Sequence, residues 1–393
     1  MNHSLAELTA TRRVLVTCGA GGVGKTTTAA ALGLAAALGG RRVAVVTIDP
    51  ARRLADALGL DALANQPQRV DLDTLRDAGA ADGRRANWWA PIDPTSAEAT
   101  AAAAGQLWAL MLDARATFDD LIRRHAPSTE QAERILANRL YRNISGALSG
   151  TQEYMAVEKL HELVTAPRDM DGNPIEPFDC VIVDTPPTRN ALDVLAAPER
   201  LTRFLDNRVF RAMMAPARRG LRVVGVAAQA ALAALGKVVG TEVIGDAVAF
   251  FRAFDGMEEG FRERAQESLA LLRDDATAWV LVTTPRAETV DEAVFFAGAL
   301  GEMGLRVDAV VANRIQRHID PLPAIPPTPG PLRTAVMRAH AIDARAEAHR
   351  RVLVPLRIAV GPTAAFAEVP MAPVDVHDLH GLATIAEALH HHA

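Results

Sequence analysis

The sequence predicts an α/β fold, a mainly parallel sheet flanked by helices, with an α-helical subdomain inserted in the chain. Three observations carry this expectation. Five short apolar, β-branched runs, at residues 13–17, 42–49, 180–184, 279–284 and 307–313, alternate with long helical patterns. A glycine-rich stretch follows the first run and precedes an alanine-rich helical run. Two helix-like insertions, near residues 100–165 and 197–275, break the alternation. In an open sheet of this kind ligands bind beyond the carboxyl ends of the strands, so residues that close the runs should converge on one edge.

The glycine-rich stretch is Cys18, Gly19, Ala20, Gly21, Gly22, Val23, Gly24, Lys25, Thr26 and Thr27. From Gly19 to Thr26 it fits G-x-x-x-x-G-K-[ST], the phosphate loop of a P-loop NTPase. Backbone N–H groups freed by the glycines can close around phosphate oxygens, Lys25 can neutralise the β- and γ-phosphates, and the Thr26 hydroxyl can ligate Mg²⁺. The positive end of the following helix dipole adds to this. The chain is therefore read as binding a nucleoside triphosphate. The whole chain, 1–393, is one domain, with a nucleotide-binding core at about 12–60, 176–196 and 277–393 and a helical subdomain at about 100–165 and 197–275.

A phosphate loop needs a metal-organising acid and a group that orients the attacking water. Asp184 closes the apolar run Val181, Ile182, Val183 and can hold Mg²⁺. Asp49 closes the second run and begins the loop Asp49, Pro50, Ala51, Arg52, Arg53, where the γ-phosphate should lie; it is the candidate for activating the water. Either aspartate alone could instead end a strand or cap a helix. Arg52, Arg53 and Arg189 either supply charge to the transition state or form ordinary surface ion pairs. After Asp184 come Thr185, Pro186 and Pro187, whose stiff exit suits a switch that senses the γ-phosphate. Asn313, with an amide that both donates and accepts, suits a purine edge.

Composition narrows the surroundings. The net charge of −5 and pI near 6.1 argue against a general nucleic-acid-binding surface. Cys18 and Cys180, the two cysteines, are too few for a disulfide framework or a cysteine-based zinc site and sit among core-strand neighbours. The first eleven residues lack the apolar core of a signal peptide, so a cytoplasmic protein is expected. The apolar stretch 223–236 is shorter than the roughly 18–20 residues that span a bilayer. His390, His391 and His392 read as a solvated tail with, at most, weak metal affinity.

Residues 107–124 read as one amphipathic helix, with Leu107, Leu110, Met111, Ala114, Phe118, Leu121 and Ile122 at helical spacing. Residues 77–101 read as a loop, and 321–331 as a stiff proline-rich connector. The second insertion carries Met213 and Met214 and the apolar stretches 221–235 and 248–254. These either pack a core or line a groove for an apolar partner helix.

Four motifs together, the phosphate loop at 19–27, Thr47-Ile48-Asp49-Pro50-Ala51, Asp184-Thr185-Pro186-Pro187-Thr188 and Val311-Ala312-Asn313-Arg314, resemble the ArsA family of ATPases, which includes arsenite-pump ATPases and the guided-entry ATPase for tail-anchored membrane proteins. The resemblance runs over nearly the whole chain. Segments 112–118, 147–159 and 197–205 further resemble an actinobacterial-type branch, often found as two unlike copies. The resemblance implies a dimeric ATPase of the group with MinD and the nitrogenase iron protein. It implies that residues 19–27 hold ATP phosphates, that Thr26 and Asp184 organise Mg²⁺, that Asp49 is the hydrolytic acid, and that Asn313 and Pro370 contact adenine. Together with the apolar insertion from Pro198 to Leu272, it suggests a helical subdomain that changes with nucleotide state to handle an apolar protein segment or membrane protein, with membrane proximity only through a partner. Alternatives are an energising subunit for anion export and a weakly hydrolysing regulatory subunit.

Three departures matter. The arsenite pump's cysteine site is absent, and so is the Cys-x-x-Cys zinc staple of the guided-entry ATPase. Ala20 stands where the family's second loop lysine reaches across the dimer. The partner is accordingly expected to be a second copy or a lysine-bearing paralogue.

Overall fold

The computed structural model describes residues 4–49, 53–75, 105–144, 151–169, 172–186, 188–206, 257–372 and 375–391. The chain forms two compact units, one of Met1–Met111, Leu163–Leu192 and Asp274–Ala393, the other of Leu112–Glu162 and Asp193–Arg273. The sequence segments 77–101, 221–235 and 248–254, with Met213 and Met214, lie outside the described residues, as do Pro50, Ala51, Arg52 and Pro187.

The first unit is built on an eight-stranded sheet of β1 (Val14–Cys18), β2 (Arg42–Thr47), β3 (Gln68–Val70), β4 (Gln106–Met111), β5 (Cys180–Asp184), β6 (Thr277–Thr283), β7 (Ala309–Ile315) and β8 (Ala365–Pro370). Their spatial order is β3-β4-β2-β5-β1-β6-β7-β8. Every neighbouring pair is parallel except β3 with β4. The five apolar runs are β1, β2, β5, β6 and β7. Their near-continuous apolar character reflects burial on both faces: β1, β5 and β6 are buried at every residue.

One face packs against helices α1 (Leu5–Thr11) and α2 (Lys25–Leu38) and against the C-terminal helix Leu379–His391, through Leu15, Val45, Ile182, Val280 and Val311. Alternate strand residues such as Val16, Leu281 and Val310 are buried outside that cluster, which puts them on the opposite face. The short helix α3 (Arg53–Leu58) follows β2 on the way to β3.

The expectation of one helix over residues 107–124 is corrected. Gln106–Met111 is strand β4, paired in parallel register with all of β2, from Arg42 against Gln106 to Thr47 against Met111. The helix, α4, begins only at Ala114 and ends at His125, with Asp113 accepting the Ala116 N–H at 2.9 Å as its N-cap. A six-residue apolar run carries no reliable period of its own. Its fate was set by the open edge of β2. Strands β3 and β8 also lie outside the five runs.

The second unit is helical among its described residues: α4, α5 (Thr129–Ala137), α6 (Arg139–Ile144), most of α7 (Thr151–Thr165) and α8 (Thr188–Asp206), and α9 (Glu258–Arg273). Leu121, Ile122, Ile135, Tyr141, Met155 and Phe261 form its core. Phe118, half-buried, sets its ring 5.4 Å from Tyr141 and 6.3 Å from Phe261. A charged seam runs beside this core. Arg264 Nε donates to both oxygens of Glu158, at 2.9 and 3.0 Å, while Arg124 and Lys159 reach Glu162 at 3.3 and 3.2 Å. Burial raises the Glu158 carboxyl above its usual range although Arg264 and Arg124 pull the other way. Such a pair adds little net stability but leaves a costly charge if one partner is removed.

No described helix is long and apolar enough to cross a membrane. Helix α2 approaches the sheet closely at Gly33, where a Cβ would stand 2.4 Å from Val45 Cγ2 and 3.3 Å from Leu107 Cδ1. Gly33→Val should therefore lower the unfolding free energy by about 1–3 kcal/mol through overpacking. Gly298→Ala, in the helix Ala287–Glu302 where nothing lies near the added methyl, should raise it by up to about 1 kcal/mol. Urea unfolding of the two variants checks this.

Candidate functional site

Four elements meet at the carboxyl edge of the sheet to make the site. The loop between β1 and α2 is the phosphate loop. Gly19 takes φ +152°, and a Cβ there would lie 2.1 Å from the Val282 carbonyl oxygen of β6. Gly24, the α2 N-cap, takes φ +99°, and a Cβ there would strike Asn313 Nδ2 at 2.2 Å. Both glycines are required by close approach as much as by backbone angle. Lys25 is the first residue of α2 and is buried; its Nζ donates to the carbonyls of Gly19 at 3.0 Å and Ala20 at 2.9 Å. Burial pulls its pKa down, and the nearby Asp184 carboxylate opposes that shift. The ammonium thus lies folded over the loop it belongs to.

Asp184 ends β5, opposite Thr17 of β1 and Thr47 of β2 in the register. Its Oδ2 accepts from Thr26 Oγ1 at 2.7 Å and from Thr47 Oγ1 at 3.0 Å. Its Oδ1 is buried and finds no hydrogen-bond partner among the described residues. Burial raises the carboxyl to about 6, against the two hydroxyl bonds and Lys25, which favour the ionised form. A buried oxygen without a donor is costly. With the Thr26 hydroxyl alongside, this is an all-oxygen donor set that fits a small hard divalent cation such as Mg²⁺. Among the described residues no cluster of three or more His, Cys, Asp or Glu side chains offers another metal site.

Thr185, next in the chain, is buried, and its hydroxyl donates to the Thr17 carbonyl at 2.7 Å. Asp49 lies two residues beyond β2, its N–H donating to Thr47 Oγ1 at 3.2 Å. Thr47 thereby touches both acids. A cavity of about 440 Å³ opens over these groups, lined by Gly21, Gly22, Gly24, Lys25, Thr26 and Thr27 of the loop, by Asp49, Arg53, Asp56 and Ala57, by Thr185 and Arg314, and by Asp375, Val376 and His377. Loop, Asp49 and Thr185 thus come to one place, with Asp184 beneath Thr26. Pro186 is half-buried beside them.

Two expected residues sit differently. Asn313 Nδ2 donates to the Val23 carbonyl at 2.8 Å, and its Oδ1 accepts the Arg314 N–H at 2.9 Å, so the amide braces the phosphate loop from β7. Asn313 also lies inside β7, beside a register shift between Ala312 and Ile315, instead of closing the strand. Pro370 lines a separate cavity with Arg317, Arg350 and Glu368. The wall formed by Asp375, Val376 and His377 carries no periodic signal in the sequence. Arg314 was legible only as the neighbour of Asn313. Its φ of +60° is uncommon for a residue with a side chain.

The cysteines stand apart from this chemistry. Cys18 and Cys180 are fully buried, and burial pushes both thiols up to about 12, the inert condition of core thiols.

The chain matches the ArsA ATPase family, described as anion-transporting ATPase, over residues 12–78 and 98–320. It is 30% identical to the uncharacterized protein SCO2128 of Streptomyces coelicolor over 304 residues, 77% of this chain and 62% of that protein. It is 26% identical to the ATPase BagA of Mycobacterium tuberculosis over 322 residues, 80% of this chain and 69% of that protein. With protein Rv2184c of the same organism it shares 27% identity over 311 residues, 77% of this chain and 59% of that protein. The alignment thus spans less than two thirds of the Streptomyces protein. A parallel sheet with a phosphate loop at its carboxyl edge, an acid beneath the loop and this match over most of the sequence place the chain in the ArsA family of ATPases.

Proposed function

We propose that this ATPase binds ATP with Mg²⁺ in the cavity over the phosphate loop and couples hydrolysis to a change in the helical unit. The observation that supports this most directly is Asp184, whose Oδ1 is buried without a partner among the described residues while Oδ2 accepts from Thr26 and Thr47. The loop N–H groups at 19–27 and Lys25 take the phosphates; a phosphate competes with the Gly19 and Ala20 carbonyls for the lysine Nζ. Thr26 and Asp184 supply the oxygens for Mg²⁺, which when bound draws charge from the phosphoryl oxygens. Asp49 orients and deprotonates the attacking water. The base lies toward the wall of Asp375, Val376 and His377 and toward Arg314, the neighbour of Asn313 in the chain. Asp49-Pro50-Ala51 and Asp184-Thr185-Pro186-Pro187 act as switches, because Asp49 and Thr185 line the same cavity while β5 runs on toward α8.

Lys25→Ala should weaken ATP binding at least about tenfold, measured by equilibrium fluorescence. Asp49→Asn should leave that affinity within about twofold and slow turnover by about 10²–10⁴. Loss of binding in the Asp49 variant would make Asp49 a structural residue.

The working unit is proposed to be a dimer, with a second copy or with a paralogue that carries the lysine missing at Ala20. That absence also favours a second reading, a weakly hydrolysing regulatory subunit. Steady-state turnover should be low for the chain alone and rise in the mixed pair; equal rates would reject the paralogue as the source of the missing charge. The proposed client is an apolar protein segment, supported by the apolar sequence between residues 198 and 272. In excess, the protein should keep a hydrophobic tail segment soluble in at least one nucleotide state, as read by light scattering. Aggregation in every state would remove this role.

A further inference from the structure

A second cavity, of about 340 Å³, adjoins the phosphate loop and shares Gly21, Gly22 and Arg314 with the nucleotide cavity. Arg286, Arg314 and Arg345 line it, and among the described residues no aspartate or glutamate does. Among the described residues none of these three guanidinium groups is held in an ion pair. Another arginine-rich concavity is organised differently: there Glu368 accepts from Arg350 at 2.7 Å and from Arg357 at 3.3 Å.

The three cations come from separate elements. Arg286 caps the helix α10 (Ala287–Glu302). The turn before that helix is tied by Arg286 N–H to the Thr284 carbonyl at 2.8 Å and by the Thr284 and Thr289 hydroxyls at 2.9 Å. Arg314 is placed by the β7 irregularity and by the Asn313 bond to its N–H. Arg345 lies on the helix α11 (Pro331–Val352), one turn before His349, whose Nδ1 accepts the Gln316 N–H at 3.1 Å. All three arginines are exposed at the mouth of one concavity, in a chain of net charge −5, so an anion there meets favourable charge from three sides. Guanidinium forks match the paired oxygens of a phosphate better than a point charge does.

We propose that this cavity is a second oxyanion site, which takes a small phosphate-bearing anion beside the nucleotide. The ligand is either a free anion, such as phosphate or pyrophosphate, or the phosphate of a second nucleotide. Arg314, common to both cavities, makes occupancy of one sensitive to occupancy of the other. The site stands independently of hydrolysis at the first cavity, since Arg286 and Arg345 do not line that cavity.

The test is calorimetric titration of the full chain, saturated with Mg·ADP, with pyrophosphate, inorganic phosphate and AMP in turn. One equivalent of pyrophosphate or phosphate should bind, more weakly as salt is raised; preference for AMP instead assigns the same site to a nucleotide. Arg286→Gln/Arg345→Gln should weaken that binding at least about tenfold while its Mg·ADP affinity stays within about twofold, which also reports its folding. Lys25→Ala, titrated without nucleotide, should retain it. Absence of binding to the wild-type chain, equal binding by the double variant, or loss with Lys25→Ala alone would overturn the proposal. Failure of Lys25→Ala to weaken ATP binding would count against the phosphate-loop reading only.

Discussion

The carboxylate of Asp184 is the interaction on which the site depends. It ends a strand at the centre of the sheet, opposite Thr17 on one side and Thr47 on the other. One of its oxygens collects a hydroxyl from the first turn of α2 and another from the end of β2. A single buried group thus binds the phosphate-loop helix to the two strands whose ends carry Asp184 and lead to Asp49. Because it is buried, each hydrogen bond to it is stronger than it would be in water, and the oxygen left over is correspondingly costly. The same burial that raises its pKa makes it receptive to a cation.

Around that carboxylate the loop is held by close packing from the other half of the sheet. Gly19 leaves no room against β6, and Gly24 none against Asn313 of β7. Asn313 returns the contact by donating to Val23. The loop is therefore clamped between β5 with β2 on one side and β6 with β7 on the other. Preorganised N–H groups bind phosphate without first losing conformational freedom, which is the advantage of a rigid cradle. Lys25 is folded onto the loop carbonyls, its Nζ donating to Gly19 and Ala20.

Arg314 links this clamp to the arginine-rich cavity beside it. Its left-handed backbone costs on the order of 1–2 kcal/mol and is maintained by the Asn313 side chain and by the irregular pairing of β7 with β8. One short stretch of β7 therefore braces the phosphate loop with Asn313 and puts a guanidinium on the wall between two cavities.

The sequence by itself determined the class of fold, five strands of the sheet, the phosphate loop with Lys25 and Thr26, and the acid Asp184, because each follows from local rules. A doubly buried strand is a continuous apolar run, a phosphate loop places a lysine and a hydroxyl directly after glycines at fixed spacing, and an acid at the carboxyl end of a parallel strand lies at the crevice edge. Only the tertiary structure decided the rest. Gln106–Met111 became a strand because the edge of β2 was open to it, a long-range pairing that no local period encodes. Thr47 became the link between Asp49 and Asp184, and Asn313 a brace for the loop, through bonds that span 137 and 290 residues of chain. Pro370 went to a different cavity, while Asp375, Val376 and His377 took the wall of the cavity over the glycine-rich loop. Those assignments depend on which strand lies beside which, and strand order follows from the packing of the whole chain.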